Sequence, residues 1–511
     1  MATSHLRGLL PVTSLFTTLC LATTVTVCAV ANADTITIDG QFGDWDDVPA
    51  AWSSLPRATG MHRLKITSDE VYLYFYVEVT GEGGAELDLS EDNDLVLLLD
   101  TDVDLTTGVR VKGSGNDVLW AFAGGDHRSG GQGALLWADG ARELGPAAIG
   151  FVAAPTVTSP AFEMRIDRRR LAGLGEGAIG VALEDGASGQ RAPASGRILH
   201  TLGPIGERPL DDRSMQREQP DDIRLVSLNC EYDYDAGEDS MWQADSSGAY
   251  RRLFAAAAGD VICLQEIHDH TPDDVVTLLS SLTPEATSQW SAVASDDCVI
   301  ASRFPIRGSW TIRTDAVGGG NCAALLATKE RLGRDLLVIN MHLACCAKDD
   351  QRQHEVDAII EFLRDVRLAG RPFTIEPGTP IVLLGDTNFV GDAQQLQTVL
   401  TGDIVQEGQY GNDFALDVDG SSLAAVEITH FGSSDSWTWR DDTSRFWPGR
   451  LDYVFLTDSV LETGTVGAVM TETMSPQQLN EVTLNADDWQ ATDHLMLITD
   501  IRDRGPLKRS R

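Results

Sequence analysis

Six apolar segments in the C-terminal half of this chain carry polar side chains at or near their ends. In chain order they are IRLVSLN, DVICLQE, LLVINMHL, PIVLLGDTN, GRLDYVFL and ATDHLMLITDI, which carry Asn229, Glu266, His342, Asp386 with Asn388, Asp452, and Asp493 with His494. Polar side chains at strand ends of an α/β sheet commonly meet in one crevice. A single such residue usually caps a strand, but a full ordered set is hard to attribute to coincidence. The set predicts one site, whose carboxylates, amides and imidazoles suit one hard cation and a phosphoryl group.

Helical patterns alternate with these strands throughout residues 223–511. The segment Gln351–Arg367, for example, places Val356, Ile360 and Leu363 on one helix face. Strands that alternate with helices predict an α/β domain with layered sheets and outer helices.

The preceding part of the chain has a different pattern. Residues 34–205 contain short strands such as Val71–Val79, separated by Gly- and Asp-rich turns, which predicts an all-β sandwich. Residues 206–222 are polar, charged and contain proline, which is typical of an exposed linker. We therefore expect two domains joined by a linker, with the first serving as a targeting or spacer module.

The first 33 residues resemble an export signal. Arg7 supplies a positive charge, Ser14–Val30 supplies an apolar stretch, and Ala31-Asn32-Ala33 supplies a cleavage pattern. The alternative is an uncleaved anchor helix over Leu9–Val30. Cleavage predicts a secreted, periplasmic or cell-surface protein. No other long apolar run is present, so we expect no stable membrane insertion.

Removal of the signal leaves six cysteines, an even count that suggests disulfides in an exported protein. We expect a bridge between Cys298 and Cys322, because they flank two segments that read as adjacent strands. Cys345 and Cys346 are candidates for a loop staple. The last two cysteines, at 230 and 263, lie in apolar strands and are equally consistent with buried thiols.

The charge of the chain narrows the classes of function. It contains 39 Lys and Arg against 77 Asp and Glu, a net charge of -38. Such a chain repels polyanions, which disfavours a basic nucleic-acid groove or affinity for anionic membranes. A phosphate-cleaving site is still compatible with this charge, because a bound divalent metal reverses the local field.

The ordered set resembles the endonuclease/exonuclease/phosphatase superfamily, which includes DNase I-like nucleases, inositol phosphatases and bacterial sphingomyelinases. The segments that carry the resemblance are LN, QE, ASRFPI (Ala301–Ile306), NMHL, GDTN, RLDY and TDH, all in family order. The resemblance covers roughly Ile223–Arg502. It implies a four-layer α/β sandwich with the active site at one end of two packed sheets.

The resemblance and the chemistry of the side chains together imply a role for each residue. Glu266, Asn229 and Asp493 would bind Mg²⁺ or Mn²⁺, which prefer oxygen ligands. Asp386 resembles the general base, and Asn388 would orient the water or a phosphoryl oxygen. His342 and His494 would donate hydrogen bonds to the phosphoryl oxygens. Asp452 would be the carboxylate paired with His494. Which group is base and which is acid is left open.

The first domain resembles the family 9-like carbohydrate-binding β-sandwiches, on Ile38–Trp45, Val71–Val79 and Leu97–Asp104. The resemblance implies a polysaccharide partner. Asp100, Asp102 and Asp104 alternate as calcium ligands can, although Leu105 and Val111 stand where an EF-hand loop needs Gly and Glu. The alternative is a solvated acidic strand end.

An insertion before Asp452, Ser436–Arg450, bears on the substrate. Its aromatic residues, Trp437, Trp439 and Trp447, could stack on bases or lie at a lipid interface, and its basic residues, Arg440, Arg445 and Arg450, could hold phosphates. Alternatively, the tryptophans pack the loop and the arginines pair with Asp441 and Asp442.

These features predict an exported, metal-dependent phosphoesterase that hydrolyses phosphodiester bonds, first of all an extracellular nuclease. A sphingomyelinase-like lipid phosphodiesterase or a phosphomonoesterase is the alternative within the enzyme class. A noncatalytic surface-binding protein that retains the fold is the alternative outside it. The substrate would accordingly be a nucleic acid or a phospholipid headgroup.

Overall fold

The computed structural model describes residues 27–28, 36–55, 59–91, 93–123, 135–137, 145–171, 174, 177–208, 210–231, 248–282, 289–314 and 317–505. The predicted signal peptide lies outside these residues, apart from a two-residue strand at Val27–Cys28. No helix within these ranges has both the length and the apolar character that crossing a bilayer requires.

The first domain is built from strands, and the prediction of a β domain is confirmed. Its strands are β1 Val27–Cys28, β2 Ala50–Ser53, β3 Gly60–Ser68, β4 Tyr72–Thr80, β5 Leu95–Asp100, β6 Val109–Val111, β7 Ser114–Asn116, β8 Val118–Ala121, β9 Leu135–Trp137, β10 Val152–Ala154, β11 Ala161–Asp167, β12 Gly177–Asp185, β13 Gln190–Ala192 and β14 Ile198–Leu202. One sheet has the order β1-β14-β12-β5-β8-β9, with β13 on β12, and the other has the order β10-β11-β4-β3-β2. Their facing side chains share one apolar core, which includes Phe75 and Leu97.

The second domain contains two six-stranded mixed sheets with helices between the strands. Its strands are β15 Ile223–Asn229, β16 Val261–Gln265, β17 Ser291–Ser295, β18 Cys298–Ser302, β19 Ile306–Thr314, β20 Val317–Leu326, β21 Leu336–His342, β22 Ile381–Asp386, β23 Ala424–Ala425, β24 Asp452–Leu456, β25 Leu461–Ala468 and β26 Leu497–Asp503. Its helices are α1 Ala249–Ala257, α2 Pro272–Leu282, α3 Lys329–Leu332, α4 Asp349–Leu368, α5 Gln394–Thr401, α6 Glu407–Tyr410 and α7 Pro476–Val482. The sheets have the orders β17-β18-β16-β15-β26-β25 and β19-β20-β21-β22-β24-β23. The helix predicted over 351–367 is confirmed as part of α4.

The two sheets of the second domain pack through a shared apolar cluster that includes Leu225 and Val338. The apolar face of α4, with Val356 and Ile360, packs on the strand side chain Leu383 in a second cluster. Helices α1 and α2 belong to a third cluster with β15 and β16. Burial of these apolar faces holds the strand ends in fixed relative positions.

The predicted Cys298–Cys322 disulfide is wrong. Cys298 begins β18 and Cys322 lies in β20, so the two residues belong to different sheets rather than to adjacent strands. Both are buried free thiols in the cluster between the sheets, where they pack as small apolar side chains. The exposed thiols of Cys345 and Cys346 are also free, with their Sγ atoms 2.8 Å apart.

Most described residues of the segment 206–222 are exposed, and a few of its side chains contact the second domain. Met215 is buried in the apolar cluster around α1. The guanidinium of Arg213 donates to Thr429 Oγ1 at 2.6 Å and to His430 O at 2.9 Å. The polar composition of the segment does not reveal these two contacts.

The two domains are joined by buried contacts. Arg165 and Asp435 form an ion pair of 2.7 Å between side chains that are 6% and 9% exposed. Ser436 Oγ donates to Ile38 O at 2.6 Å. Trp447 of the second domain enters the apolar core of the first, with its ring 5.3 Å from that of Phe151. The first domain is therefore an integral part of the structure.

The acidic turn of the first domain differs from the predicted calcium set. Asp100, Asp102 and Asp117 bring carboxylate oxygens within 4.8 Å of one another. Asp104 stands outside this group, and its carboxylate accepts a hydrogen bond from Thr106 N at 2.8 Å. The guanidinium of Arg197 contacts Asp100 and supplies positive charge to the group.

Candidate active site

The strand pairing explains why the predicted residues meet. Parallel β15 and β16 end at Asn229 and just before Glu266, and parallel β21 and β22 place His342 opposite Asp386. Antiparallel β24 begins at Asp452, opposite Asp386. The strand ends therefore converge at one edge of the paired sheets.

Gly385 in the GDTN segment permits a close approach of two strands. Its φ is +138°, and a Cβ there would lie 2.1 Å from the carbonyl oxygen of Met341. Any larger residue would push β22 away from β21. The glycine thus fixes the distance between the strands that carry His342 and Asp386.

Asp386 is buried at the centre of the site. Its Oδ2 accepts hydrogen bonds from the amide nitrogens of Asn229 and Asn388, each at 3.0 Å. The Nε2 atoms of His342 and His494 lie 3.8 and 3.7 Å from the same oxygen. One carboxylate oxygen is therefore surrounded by two amides and two imidazoles.

Each of these histidines is oriented by a second carboxylate. His494 Nδ1 donates to Asp452 Oδ2 at 2.8 Å, as the sequence predicts. His342 Nδ1 donates to Asp297 Oδ2 at 2.5 Å. With Nδ1 occupied in both rings, Nε2 of each histidine faces the central oxygen of Asp386.

Sequence reasoning missed two residues of this arrangement. Asp297 lies just before β18, in the sequence DDC, whose acidic pair was a signal that went unused. Thr438 Oγ1 donates to Asp452 Oδ2 at 2.7 Å and accepts from Asp452 N at 2.9 Å. Thr438 lies inside the tryptophan-rich insertion, where no motif distinguishes it from the neighbouring residues.

The carboxylates keep both imidazoles protonated. Burial alone would lower the pKa of His342, but the hydrogen bond and charge of Asp297, with the charge of Asp386, raise it to about 9. Burial likewise opposes protonation of His494, while the charges of Asp452 and Asp386 raise its pKa to about 10. The site thus presents two cations at neutral pH.

For the pKa of Asp386, in contrast, the effect of burial outweighs that of the neighbouring charges. Burial raises the pKa of its carboxyl to about 6, with His494 opposing that rise and Asp452 adding to it. A carboxylate of this pKa is deprotonated at neutral pH and basic enough to accept a proton from water.

A group of potential metal ligands lies beside this centre. Glu266, His342 and Asp386 each offer one ligand atom, and these atoms lie within 4.8 Å of one another. Asn229 Nδ2 donates to Glu266 Oε1 at 3.0 Å, so the amide nitrogen, not its oxygen, is directed at the carboxylates. Asp493 accepts from Trp439 Nε1 at 2.6 Å and lies 3.9 Å from His494 Nε2. All eight predicted residues therefore lie in or beside one cluster.

The insertion 436–450 packs into the structure for the most part. Trp437 and Trp447 are buried, and Arg440 pairs with Asp442 at 2.6 Å, as the structural alternative expects. Trp439 is half-buried and lines the site, where it holds the carboxylate of Asp493.

The site opens into a cleft of about 630 Å³. Among the described lining residues, nine are Asp or Glu and two, Lys348 and Arg445, are Lys or Arg. Such a cleft repels a phosphate ester unless a cation neutralises part of its charge.

Comparison with known proteins gives a family match to the second domain. The sequence profile described as the endonuclease/exonuclease/phosphatase family matches residues 226–494, or 269 of 511 residues. A search of curated proteins finds no match.

Three of the solved structures that are similar to this chain are described here. The catalytic domain of human nocturnin is 18% identical, covering 58% of this chain and 97% of that chain, with a TM-score of 0.35. ANGEL2, described as a 2',3'-cyclic phosphatase, is 17% identical, covering 55% and 95%, with a TM-score of 0.39. Beta toxin from Staphylococcus aureus, with bound magnesium ions, is 16% identical, covering 55% and 99%, with a TM-score of 0.31.

Proposed function

The chain belongs to the endonuclease/exonuclease/phosphatase family, and we propose that it is a divalent-metal-dependent hydrolase of phosphodiester bonds. One observation carries this proposal: a buried carboxylate, Asp386, faces two histidines that are each paired with a further carboxylate. The arrangement combines a base with two hydrogen-bond donors at one point, which hydrolysis of a phosphate ester needs.

The donor set fits Mg²⁺ or Mn²⁺. Glu266 supplies a carboxylate oxygen beside His342, and Asp493 adds a second carboxylate nearby. Carboxylates are the ligands that these hard cations prefer. Asn229 would join them with its amide oxygen after rotation about the side-chain amide. The bound ion would neutralise negative charge on a phosphoryl group.

The chain's own residues would carry the proton transfers. Asp386 accepts a proton from the attacking water, and the amide of Asn388 holds the carboxylate in place. The Nε2 protons of His342 and His494 are both directed at the space beside Asp386 Oδ2, where they stabilise negative charge on the phosphoryl oxygens. One of the two would protonate the leaving oxygen.

The finer parts of the proposal rest on the sequence. The sequence suggests a nuclease first, and a lipid phosphodiesterase or a phosphomonoesterase next. Export rests on the signal-like residues 1–33, polysaccharide binding rests on the first domain's resemblance, and a four-layer arrangement rests on the family. The acidic cleft supports the metal requirement more strongly than it supports any of these.

A panel of phosphate esters with and without EDTA tests the proposal. We expect the full chain to hydrolyse bis(4-nitrophenyl) phosphate with Mg²⁺ or Mn²⁺, to lose this activity in EDTA, and to regain it on adding the metal. A folded protein that hydrolyses neither diesters nor monoesters with either metal would favour the noncatalytic binding protein.

A further inference from the structure

Two adjacent thiols lie in the cleft, shortly after the strand that ends at His342. Cys345 and Cys346 are both exposed and both line the cleft, and their Sγ atoms are 2.8 Å apart. A disulfide bond is about 2.05 Å long, so only a small displacement of the two sulfurs separates the thiols from a disulfide. The other four described cysteines are buried, so an oxidant in solution reaches this pair first.

Helix α4 holds the backbone of the thiol pair in place. The fully buried Arg352 donates from Nη1 to Ala344 O at 2.8 Å and to Cys346 O at 2.6 Å. Ala344 N donates to Glu355 Oε2 at 2.8 Å. Cys346 has a φ of +63°, a backbone conformation that is uncommon outside glycine. The two thiols are thus presented to the cleft by a turn whose backbone is tied to a helix.

The same turn is bonded to candidate catalytic residues. Leu343, two residues before the thiol pair, donates from its N to Asp386 O at 3.0 Å, and its carbonyl oxygen accepts from Asn388 Nδ2 at 3.1 Å. Arg352 also donates to Val390 O, in the segment that follows Asn388. A change of backbone shape at the thiols therefore reaches Asn388 from two sides.

We propose that Cys345 and Cys346 are a reversible oxidation site, and that closing their disulfide slows hydrolysis in the cleft. The effect on hydrolysis rests on the proposed function, whereas the oxidation does not.

The adjacency of the two cysteines makes this bond a means of control. Neighbouring Cα atoms are about 3.8 Å apart across a trans peptide, whereas disulfides usually join Cα atoms about 4.4–6.8 Å apart. Closing the bond therefore requires the backbone between the two cysteines to adjust, which disturbs the hydrogen bond from Arg352 to Cys346 O. A disulfide that departs from the preferred geometry is also more easily reduced, so it opens again under mild conditions.

The oxidant in this reaction is a second disulfide, such as oxidised glutathione. One cysteine thiolate attacks a sulfur of oxidised glutathione and releases one glutathione thiolate, and the other cysteine then displaces the second. The two cysteines lose two electrons and two protons and gain one S–S bond, while the S–S bond of the oxidant becomes two thiols. Partial burial and the hydrogen bond from Cys346 raise the pKa of the Cys345 thiol to about 11, with Lys348 opposing the rise. Because the thiolate is the nucleophile, the exchange is best measured at about pH 8.5.

Mass spectrometry of one peptide tests the oxidation. Trypsin releases residues 335–348, which contain both cysteines of the pair and no other cysteine. The folded full chain is treated with an excess of oxidised glutathione, and the remaining thiols are blocked with iodoacetamide before digestion. We expect this peptide to be about 2 Da lighter than the dithiol and free of alkylation, and to regain both thiols after dithiothreitol. A peptide that is fully alkylated, or that retains glutathione, would overturn the proposal.

The rates of the two forms test the control of hydrolysis. With Mg²⁺, we expect the oxidised chain to hydrolyse bis(4-nitrophenyl) phosphate at least about tenfold more slowly than the reduced chain, because a displacement of about 1 Å can cost about 100-fold in rate. Dithiothreitol should restore the rate, and equal rates in the two forms would overturn the control of activity. No metal-dependent hydrolysis in either form would instead overturn the proposed function, while the peptide mass would still decide whether the thiols pair.

Two variants separate the thiol pair from other effects of the oxidant. Cys345→Ser with Cys346→Ser cannot form the bond, so its rate should be the same with and without oxidised glutathione. The matched control, Ala347→Ser, places a hydroxyl on the next exposed residue of the cleft lining, and it should keep the wild-type response. A double variant that still slows in oxidised glutathione would show that another site is responsible.

Discussion

Replacing Asp297 with asparagine should move the alkaline limit of activity to lower pH. Burial disfavours the charged form of His342, and the pKa of about 9 depends chiefly on the hydrogen bond and charge of Asp297. Asparagine still accepts from Nδ1 but carries no charge, so the pKa of His342 should fall toward its usual value of about 6.5. At pH 8 the protonated fraction then drops from about nine-tenths to about one-thirtieth, which lowers the rate about 30-fold, with less than a twofold loss at pH 6.

The assay is kcat/KM for bis(4-nitrophenyl) phosphate from pH 5.5 to 10 with saturating Mg²⁺. Asp296→Asn is the matched control, since Asp296 is the neighbouring exposed carboxylate and its positive φ of 53° is one that asparagine tolerates. The control should keep the wild-type alkaline limit. An unmoved limit in Asp297→Asn would show that protonation of His342 is not required.

Three further predictions follow from the metal group and the domain interface. Glu266→Gln should raise the Mg²⁺ concentration needed for half-maximal activity by at least about tenfold, measured by metal titration, because a charged ligand is lost. Residues 223–511 expressed alone should aggregate or be inactive on bis(4-nitrophenyl) phosphate, because Trp447 and other side chains that pack on the first domain become exposed; soluble, fully active protein would contradict this. Asp435→Asn should lower the free energy of unfolding by about 3–5 kcal/mol in urea titration, because it leaves Arg165 buried without its anion, whereas loss of the exposed Asp442 should cost at most about 1 kcal/mol.

The convergence of the candidate site residues could be predicted because its signal is local. Each functional residue adjoins a recognisable apolar strand, and the strand order of an α/β sheet brings such ends together. Asp386 and His494 illustrate this, since a strand pattern and a short motif were enough to predict that they lie together. Asp297 was missed because a carboxylate that only orients a histidine has no motif of its own, and its partner lies 45 residues away.

Contacts between domains could not be predicted in the same way. The segment 206–222 is polar in composition, yet its residues Arg213 and Met215 contact the second domain. Likewise Trp447 packs into the other domain, which neither composition nor periodicity encodes. Such contacts depend on the shapes of two assembled surfaces, whereas sequence patterns report which face of one element is apolar.

The cysteines show a related failure. Nearness along the chain predicts that the two segments pair as neighbouring strands, but β18 and β20 belong to different sheets. Cys298 and Cys322 therefore lie on opposite sheets and face the core between them. Burial there raises the pKa of both thiols and favours their neutral form.

The most direct test of the central claim is kcat for Asp386→Asn on bis(4-nitrophenyl) phosphate with saturating Mg²⁺. Asparagine keeps the shape of the side chain but cannot accept a proton from water at neutral pH. General-base catalysis is worth about 10²–10⁴-fold, so kcat should fall by at least that range, while KM stays level or drops because a negative charge is lost. A correctly folded Asp386→Asn protein with near wild-type kcat would contradict the account of this site.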